Sequence, residues 1–229
     1  MCAPCCSRVI VALDVPERDT TLDLARRLGP EAAMVKVGLE AFVGHGPDLV
    51  RAIVNTGTRV FLDLKIHDIP RTAAAAAKQA RSLGVHMLTI HAAGGAEMVR
   101  AVRDALGGCV HIVAVTMLTS LDDNAARDIG FGQNVGLTAE RLARLALGAG
   151  ADGLVCSAHE LERLSPLGGT RVVPGVRPAG ASHGDQKRVA SPADAMRAGA
   201  SWLVVGRPIL DAPDPLETLR SINKQIHQV

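Results

Sequence analysis

The sequence predicts an α/β protein with one domain, a (β/α)₈ TIM barrel. Eight short runs rich in Val, Ile and Leu alternate with longer helical stretches along 229 residues, and this alternation is typical of a parallel sheet covered by helices. No linker rich in Pro, Ser or Gly divides the chain. A doubly wound nucleotide-binding sheet would need a glycine-rich turn after its first strand. The chain reads Leu13-Asp14-Val15-Pro16 there, which favours the barrel.

The eight predicted strands are short and apolar, as expected for strands buried on both faces. They cover residues 9–13, 34–37, 59–64, 87–90, 111–115, 153–156, 171–173 and 202–205. The predicted helices cover residues 20–28, 72–83, 96–106, 139–147, 192–198 and 215–226. Several of them end at a glycine that would supply a left-handed terminal residue, namely Gly29, Gly84, Gly107, Gly148 and Gly199.

Two predicted connections are longer than the usual two to six residues of such loops, residues 116–138 and 174–191. Both follow strands. In a barrel, loops that follow strands lie on the C-terminal face, where catalytic residues gather.

Composition excludes two classes of partner. Lys and Arg number 25 against 23 Asp and Glu, a net charge of +2, so no strong field favours nucleic acid or an acidic membrane. Aromatic residues make up only 2% of the chain, so stacking platforms for single-stranded nucleic acid are not expected. The apolar runs are much shorter than the roughly 18 to 20 residues of a membrane span. We therefore expect no nucleic acid and no membrane as partner.

The N-terminal segment carries three of the five cysteines, Cys2, Cys5 and Cys6. No His or further Cys nearby completes a tetrahedral metal site. The short apolar stretch after Arg8 does not form a secretory signal, which favours a reducing cytoplasm. We expect a flexible N-terminus at residues 1–7, a barrel domain at residues 8–229, and no metal.

The most informative segment is residues 61–70, which reads FLDLKIHDIP. Alternate residues of a strand share a face, so Asp63 and Lys65 should project together at the mouth of the barrel. Asp68 follows in the loop, and Pro70 suits the first position of the next helix. A structural interpretation is an ion pair plus a carboxylate at a helix N-terminus. It does not explain why two carboxylates and an ammonium meet at the end of a barrel strand.

Lys36 is a lone charge inside the apolar second strand. A charge in that position is rarely unpaired, so we expect its partner to be a carboxylate at the same mouth.

Basic side chains also follow strands seven and eight, where barrels often bind phosphate. Arg177 comes after Gly175, and Arg207 comes after Gly206. Guanidinium groups and nearby backbone N–H groups would suit a phosphate, whereas solvation at the surface is the structural alternative.

Taken together, these motifs resemble the orotidine 5′-phosphate decarboxylase family, which converts orotidine monophosphate to uridine monophosphate (UMP) in pyrimidine synthesis. The similarity covers nearly the whole chain. It runs through residues 11–14, 35–38, 61–70, 91–95, 116–120, 153–157, 174–178, 185–186 and 205–207. The Asp-x-Lys-x-x-Asp string is shared with related sugar-phosphate enzymes, but those relatives tend to carry an acid where this chain has Lys36.

The resemblance implies a cofactor-free enzyme that forms a homodimer with active sites at the interface. It implies that Lys65 donates the proton, within a charge network of Lys36, Asp63, Lys65 and an Asp68 from the partner subunit. It also implies the substrate contacts. Asp14, Lys36 and Thr72 would hold the ribose, Thr119 the pyrimidine side, and Arg177, Gln186, Gly206 and Arg207 the phosphate and the closing loop.

Two other functions remain open at the level of sequence. A magnesium-dependent sugar-phosphate decarboxylase or synthase could use the same barrel, with the metal holding an enediolate. A non-catalytic barrel could bind nucleotides only. His67 and His91 flank the motif segments, and either one could be an acid–base residue or a support for a loop or interface.

Overall fold

The protein is a closed barrel of eight parallel strands. Its structure, a computed structural model, describes residues 7–132, 134–177 and 190–227. Each strand pairs with its neighbours in chain order, and the eighth pairs with the first. This confirms the predicted barrel. The strands are β1 (Val9–Ala12), β2 (Met34–Gly38), β3 (Val60–Ile66), β4 (Met87–His91), β5 (His111–Val115), β6 (Gly153–Val155), β7 (Thr170–Pro174) and β8 (Trp202–Val205).

Helices cover the outside of the barrel between most of the strands. In the described ranges they are α1 (Arg18–Leu28), α2 (Leu39–Val54), α3 (Pro70–Ser82), α4 (Gly95–Leu106), α5 (Asp123–Asp128), α6 (Val135–Gly148), α7 (Leu161–Leu164), α8 (Pro192–Arg197), α9 (Arg207–Leu210) and α10 (Pro215–His227).

The sequence did not predict helix α2. Its pattern is interrupted by Gly46 and Pro47, and Gly46 has φ 64° and ψ −166°, so the helix is kinked there. Helix α6 begins before the predicted residue 139, because the Asn134 side chain accepts a hydrogen bond from the Leu137 N–H and caps it. Regular structure thus occupies part of the long 116–138 connection.

Helices α1 and α6 end where Gly29 and Gly148 predicted, but the left-handed conformation predicted for these two of the five glycines is wrong. Gly84, Gly107 and Gly199 have positive φ as expected. Gly29 has φ −52° and continues in a right-handed turn. Its lack of a side chain instead makes room for Thr58, whose Oγ1 would lie 2.5 Å from an added Cβ. Gly148 ends helix α6, and the left-handed residue is Gly150, with φ 103°.

The barrel interior is filled by one layer of apolar side chains. Inward-facing residues form this layer: Ile10, Ala12, Met34, Phe61, Met87, Val113, Val172 and Val204. A larger apolar layer lies between the strands and the helices. Two residues further along β2, β3 and β4, the inward positions are polar: Lys36, Asp63 and Thr89. The packed layer therefore leaves the C-terminal mouth as the place for a ligand.

Ser7, which precedes β1, is attached to helix α10. The Ser7 hydroxyl donates to Asn223 Oδ1 at 3.0 Å. Residues 1–6, with the three N-terminal cysteines, lie outside the described residues. Within the described ranges, no helix combines the length and the apolar character that crossing a membrane requires.

Candidate active site

Lys36 brings a buried ammonium to the mouth of the barrel. The residue is 7% exposed, and its Nζ lies 3.0 Å from Asp14 Oδ1 and 3.6 Å from Asp63 Oδ2. Asp14 follows β1, and its side chain is about half exposed. Lys36 therefore has the carboxylate partners expected of a charge in a parallel strand.

Asp63 also binds the second ammonium. Lys65 Nζ donates to Asp63 Oδ1 and Oδ2, both at 2.9 Å. Asp63 is 8% exposed, whereas the Lys65 side chain is partly exposed. Charges alternate along the row Asp14, Lys36, Asp63 and Lys65, and the two ammonium groups balance the two carboxylates.

A β-bulge in β3 determines the backbone position of Lys65. Leu62 pairs with Leu88 and Ile66 pairs with Ile90, so four steps along β3 match two steps along β4. Lys65 has φ 50°, and it is the single non-glycine residue with positive φ within the described ranges. A left-handed residue costs about 1 to 2 kcal/mol, and such strain is often found at functional sites. Regular alternation alone therefore does not account for the position of Lys65.

Thr89 stabilises this bulge. Its side chain is fully buried in β4. The Lys65 backbone N–H donates to Thr89 Oγ1 at 2.7 Å, and the Thr89 hydroxyl donates to Asp63 Oδ1 at 3.0 Å. Thr89 lies outside the motifs that predict the site. The signal was present, because Thr89 is a polar residue at an inward position near the end of a strand.

His91 ends β4 beside the charged row, and its ring lies 5.4 Å from the ring of His67 between centroids. Burial lowers the pKa of His91 below its usual 6.5, the charges of His67 and Lys65 lower it further, and Asp63 opposes them. The lowered pKa keeps the imidazole neutral near pH 7.

Asp68 and Thr72 do not join the charged row within one chain. Asp68 is exposed in the β3–α3 connection, and its Oδ1 accepts a hydrogen bond from the Ile69 N–H at 2.7 Å. Thr72 is exposed in the first turn of α3.

The predicted phosphate-binding residues follow β7 and β8. Arg177 is 8% exposed, and its Nε has no hydrogen-bond partner in the described part of the chain. Its backbone N–H donates to Ala190 O at 3.0 Å. Gly206 precedes α9, and Arg207 is exposed at the first position of that helix.

Two predicted substrate-binding residues remain, Thr119 and Gln186. Thr119 is partly exposed in the connection after β5. Gln186 falls outside the described residues. The structure thus gathers Asp14, Lys36, Asp63 and Lys65 at one mouth, and the arginines follow strands that end on the same face.

This fold and site define a class, a (β/α)₈-barrel enzyme with an active site at the carboxyl ends of its strands. A family model described as the orotidine 5′-phosphate decarboxylase / HUMPS family matches residues 7–222. The chain belongs to this family.

Similar proteins include two curated relatives, both named orotidine 5′-phosphate decarboxylase. The relative from Anaeromyxobacter sp. strain K is 51% identical over 218 residues, which is 94% of this chain and 96% of the relative. The relative from Alkalilimnicola ehrlichii is 50% identical over 226 residues, 96% of each chain.

A crystal structure of orotidine 5′-phosphate decarboxylase from Lactobacillus acidophilus is 35% identical with a TM-score of 0.84. The alignment covers 96% of this chain and 99% of that chain.

Proposed function

We propose that this chain decarboxylates orotidine 5′-phosphate to UMP without a cofactor, as the last step of pyrimidine nucleotide synthesis. The observation that carries the proposal is the row of alternating charges, in which Asp63 binds the ammonium groups of both Lys36 and Lys65. Membership of the decarboxylase family supports it. We expect the chain to act in the cytoplasm, where such a nucleotide intermediate would be used.

The chemical problem is the anion at C6 of the pyrimidine. When the bond from C6 to the carboxylate breaks, CO₂ leaves and the electron pair stays in an in-plane orbital that the ring cannot delocalise. A cation beside C6 would stabilise this charge. Lys65 Nζ then transfers a proton to C6 to form the C–H bond, and the neutral amine takes a proton back from water.

Asp63 would lie against the departing carboxylate, and Lys36 holds Asp63 from the other side. Two unit charges about 4 Å apart interact by roughly 4 kcal/mol at an effective dielectric constant near 20. Enzymes lower barriers by about 8 to 23 kcal/mol. One charged pair is therefore insufficient, and binding of distant parts of the substrate must contribute.

The phosphate is the part of the substrate best suited to that contribution. Arg177 is buried, and its Nε has no hydrogen-bond partner among the described residues, which supports a phosphate-binding role for this guanidinium together with Gln186, Gly206 and Arg207. Binding energy from the phosphate can be used to exclude water and orient the reacting carboxylate. In this proposal Asp14, Lys36 and Thr72 bind the ribose, and Thr119 contacts the pyrimidine side.

We further propose a homodimer in which Asp68 and Thr72 act in the active site of the partner subunit. Both residues are exposed in a single chain. Ile69 between them is 62% exposed, an exposure that contact with a second copy would remove. In a two-fold dimer the same surface serves both subunits, so each site would receive one Asp68.

A single assay tests the proposed reaction. Purified protein is mixed with orotidine 5′-phosphate in EDTA, and loss of the orotate absorbance is followed together with UMP formation. We expect turnover in wild type and a loss of roughly 100- to 10,000-fold in Lys65→Ala, as for removal of a general acid. Arg144→Ala, a change at an exposed side chain of α6, is the control.

The other outcomes each point to a different function. Loss of turnover in EDTA with recovery in Mg²⁺ would indicate the metal-dependent class. Binding of UMP without turnover would indicate a nucleotide-binding barrel. Near-normal turnover by folded Lys65→Ala would contradict the role of Lys65.

Mixing two inactive variants tests the shared site. Lys65→Ala and Asp68→Ala are unfolded together, refolded together and assayed. If Asp68 acts across the interface, half of the sites in mixed dimers are intact, so activity recovers to about a quarter of wild type. No recovery in mixtures that do exchange subunits would overturn this arrangement.

A further inference from the structure

Thr89 connects the backbone of Lys65 to the side chain of Asp63. Its hydroxyl is fully buried. The Lys65 N–H and Asp63 Oδ1 lie at 2.7 Å and 3.0 Å from Thr89 Oγ1. Both are short contacts of a fully buried side chain, and the one from the Lys65 N–H replaces a backbone bond that regular strand pairing would otherwise supply.

The directions of both hydrogen bonds are fixed. A backbone N–H can only donate, so Thr89 Oγ1 accepts from Lys65. An ionised carboxylate can only accept, so the single hydroxyl proton of Thr89 points to Asp63. Serine can make the same two bonds. Valine has nearly the same shape as threonine but can make neither bond.

The bulge creates the need for this side chain. Between the pairs Leu62–Leu88 and Ile66–Ile90 the regular β3–β4 ladder is interrupted. The Lys65 N–H falls in this gap, and the threonine hydroxyl accepts it in place of a backbone carbonyl. The same residue has φ 50°, a conformation that persists only when surrounding contacts hold it.

We propose that Thr89 is a positioning residue for the reaction. By holding the left-handed Lys65 backbone and one oxygen of Asp63 at the same time, Thr89 sets where the Lys65 ammonium lies relative to the carboxylate that faces the substrate. This inference rests on the proposed function. In this proposal Thr89 acts through Lys65 and Asp63 and contacts neither the substrate nor the transferred proton.

The expected effect falls on turnover rather than on binding. A displacement of a reacting group by about 1 Å can cost on the order of 100-fold in rate. The substrate phosphate would bind as before, because Arg177 and Arg207 follow other strands. Loss of Thr89 should therefore lower kcat and leave KM nearly unchanged, the pattern of an interaction used in the transition state.

The test compares Thr89→Val with Thr89→Ser. Active protein is quantified by UMP binding in calorimetry, and kcat and KM are measured on orotidine 5′-phosphate. We expect Thr89→Val to lose on the order of 100-fold in kcat, with KM and the UMP Kd within about threefold of wild type. Thr89→Ser should keep kcat within about threefold, although it loses a buried methyl group and is less stable.

Thr21→Val is the matched control. Thr21 is also fully buried, and its hydroxyl donates to Glu17 O at 2.9 Å, but it lies in α1. The same substitution there removes a buried hydroxyl bond, so it should lower the melting temperature and leave kcat unchanged. If Thr89→Val does not fold, Thr89→Cys replaces it, since a thiol is a weak donor and acceptor.

The possible results distinguish failure of the proposed function from failure of the role proposed for Thr89. An inactive wild type contradicts the proposed function. An active wild type together with wild-type kcat in folded Thr89→Val or Thr89→Cys overturns the role of Thr89. Equal losses of kcat in the valine and serine variants would also overturn it, because the hydroxyl would then be irrelevant.

Discussion

Lys36 and Asp14 meet across the ends of adjacent strands, with Nζ 3.0 Å from Oδ1. The lysine is buried in β2, and the aspartate is half exposed after β1. The approach requires a glycine, because a Cβ on Gly38 would lie 2.8 Å from Lys36 Nζ and 3.1 Å from Asp14 Oδ1.

We predict that Gly38→Ala damages the site and spares the fold. Gly38 has φ −90°, so alanine fits the backbone, and the clash falls on the flexible end of a lysine. The ammonium must shift, and the shift disturbs its contact with Asp14. We expect kcat/KM on orotidine 5′-phosphate to fall by about tenfold, which is about 1.4 kcal/mol, with the melting temperature nearly unchanged. Steady-state kinetics and thermal unfolding measure the two effects.

Gly148→Ala is the control for Gly38→Ala. Nothing lies within 4 Å of an added Cβ at Gly148, which ends an outer helix. Its kinetics should match wild type. Wild-type kcat/KM in Gly38→Ala would show that the Lys36–Asp14 contact is not needed for activity.

Arg207→Ala should affect only substrates that carry a phosphate. A hydrogen bond to a charged group contributes about 1.5 to 3 kcal/mol, so we expect a loss of roughly 10- to 100-fold in kcat/KM on the nucleotide. The phosphate-free nucleoside should react equally slowly with the variant and with wild type. Comparable losses on both substrates would contradict a phosphate role for Arg207.

His111 should make stability depend on pH. His111 is the first residue of β5. Its Nε2 lies 2.8 Å from Thr170 Oγ1, and its ring packs edge-on against Trp202. Burial lowers the pKa of His111 below 6.5. Asp152 opposes this shift, and the cations Arg103 and Arg59 add to it.

The sign of the pH effect follows from this lowered pKa. Below the usual pKa of about 6.5 the unfolded chain binds a proton that the folded chain does not bind. We therefore expect full stability above that pH and a progressive loss as the pH falls through it. Urea unfolding at pH 7.5 and pH 5.5 measures the difference, and His111→Gln should reduce it.

The control for this change is His227→Gln at the exposed end of α10. His86, whose pKa is lowered by burial and by Arg59, should supply part of the dependence that remains in His111→Gln. An unchanged pH dependence in His111→Gln would contradict the prediction.

Gly153→Ala should destabilise the barrel. An added Cβ would overlap Thr170 Oγ1 and lie 2.5 Å from the Thr170 backbone oxygen. A backbone oxygen in a paired strand cannot rotate away, so we expect a cost of about 3 kcal/mol. For a chain of this size that corresponds to a fall of roughly 6 to 12 °C in melting temperature. A melting temperature within about 2 °C of wild type would contradict this.

Much of the fold could be predicted because the barrel strands are short apolar runs that alternate with helical stretches. All eight strands were predicted close to their observed bounds. Helix α2 was missed, since Gly46 and Pro47 break its local pattern while packing against the barrel keeps it helical. Gly29 follows the last residue of α1 as predicted, but it is right-handed, and its small size serves contact with Thr58.

By itself the sequence determined the barrel, the charged residues at its mouth and the resemblance to a decarboxylase family, since strand periodicity and strand ends are local properties. Only the tertiary structure decided how Lys65 reaches Asp63. The bulge in β3 and the Thr89 hydroxyl belong to the pairing of two strands. Such pairing depends on residues 24 and 26 positions apart, which no local pattern of one strand contains.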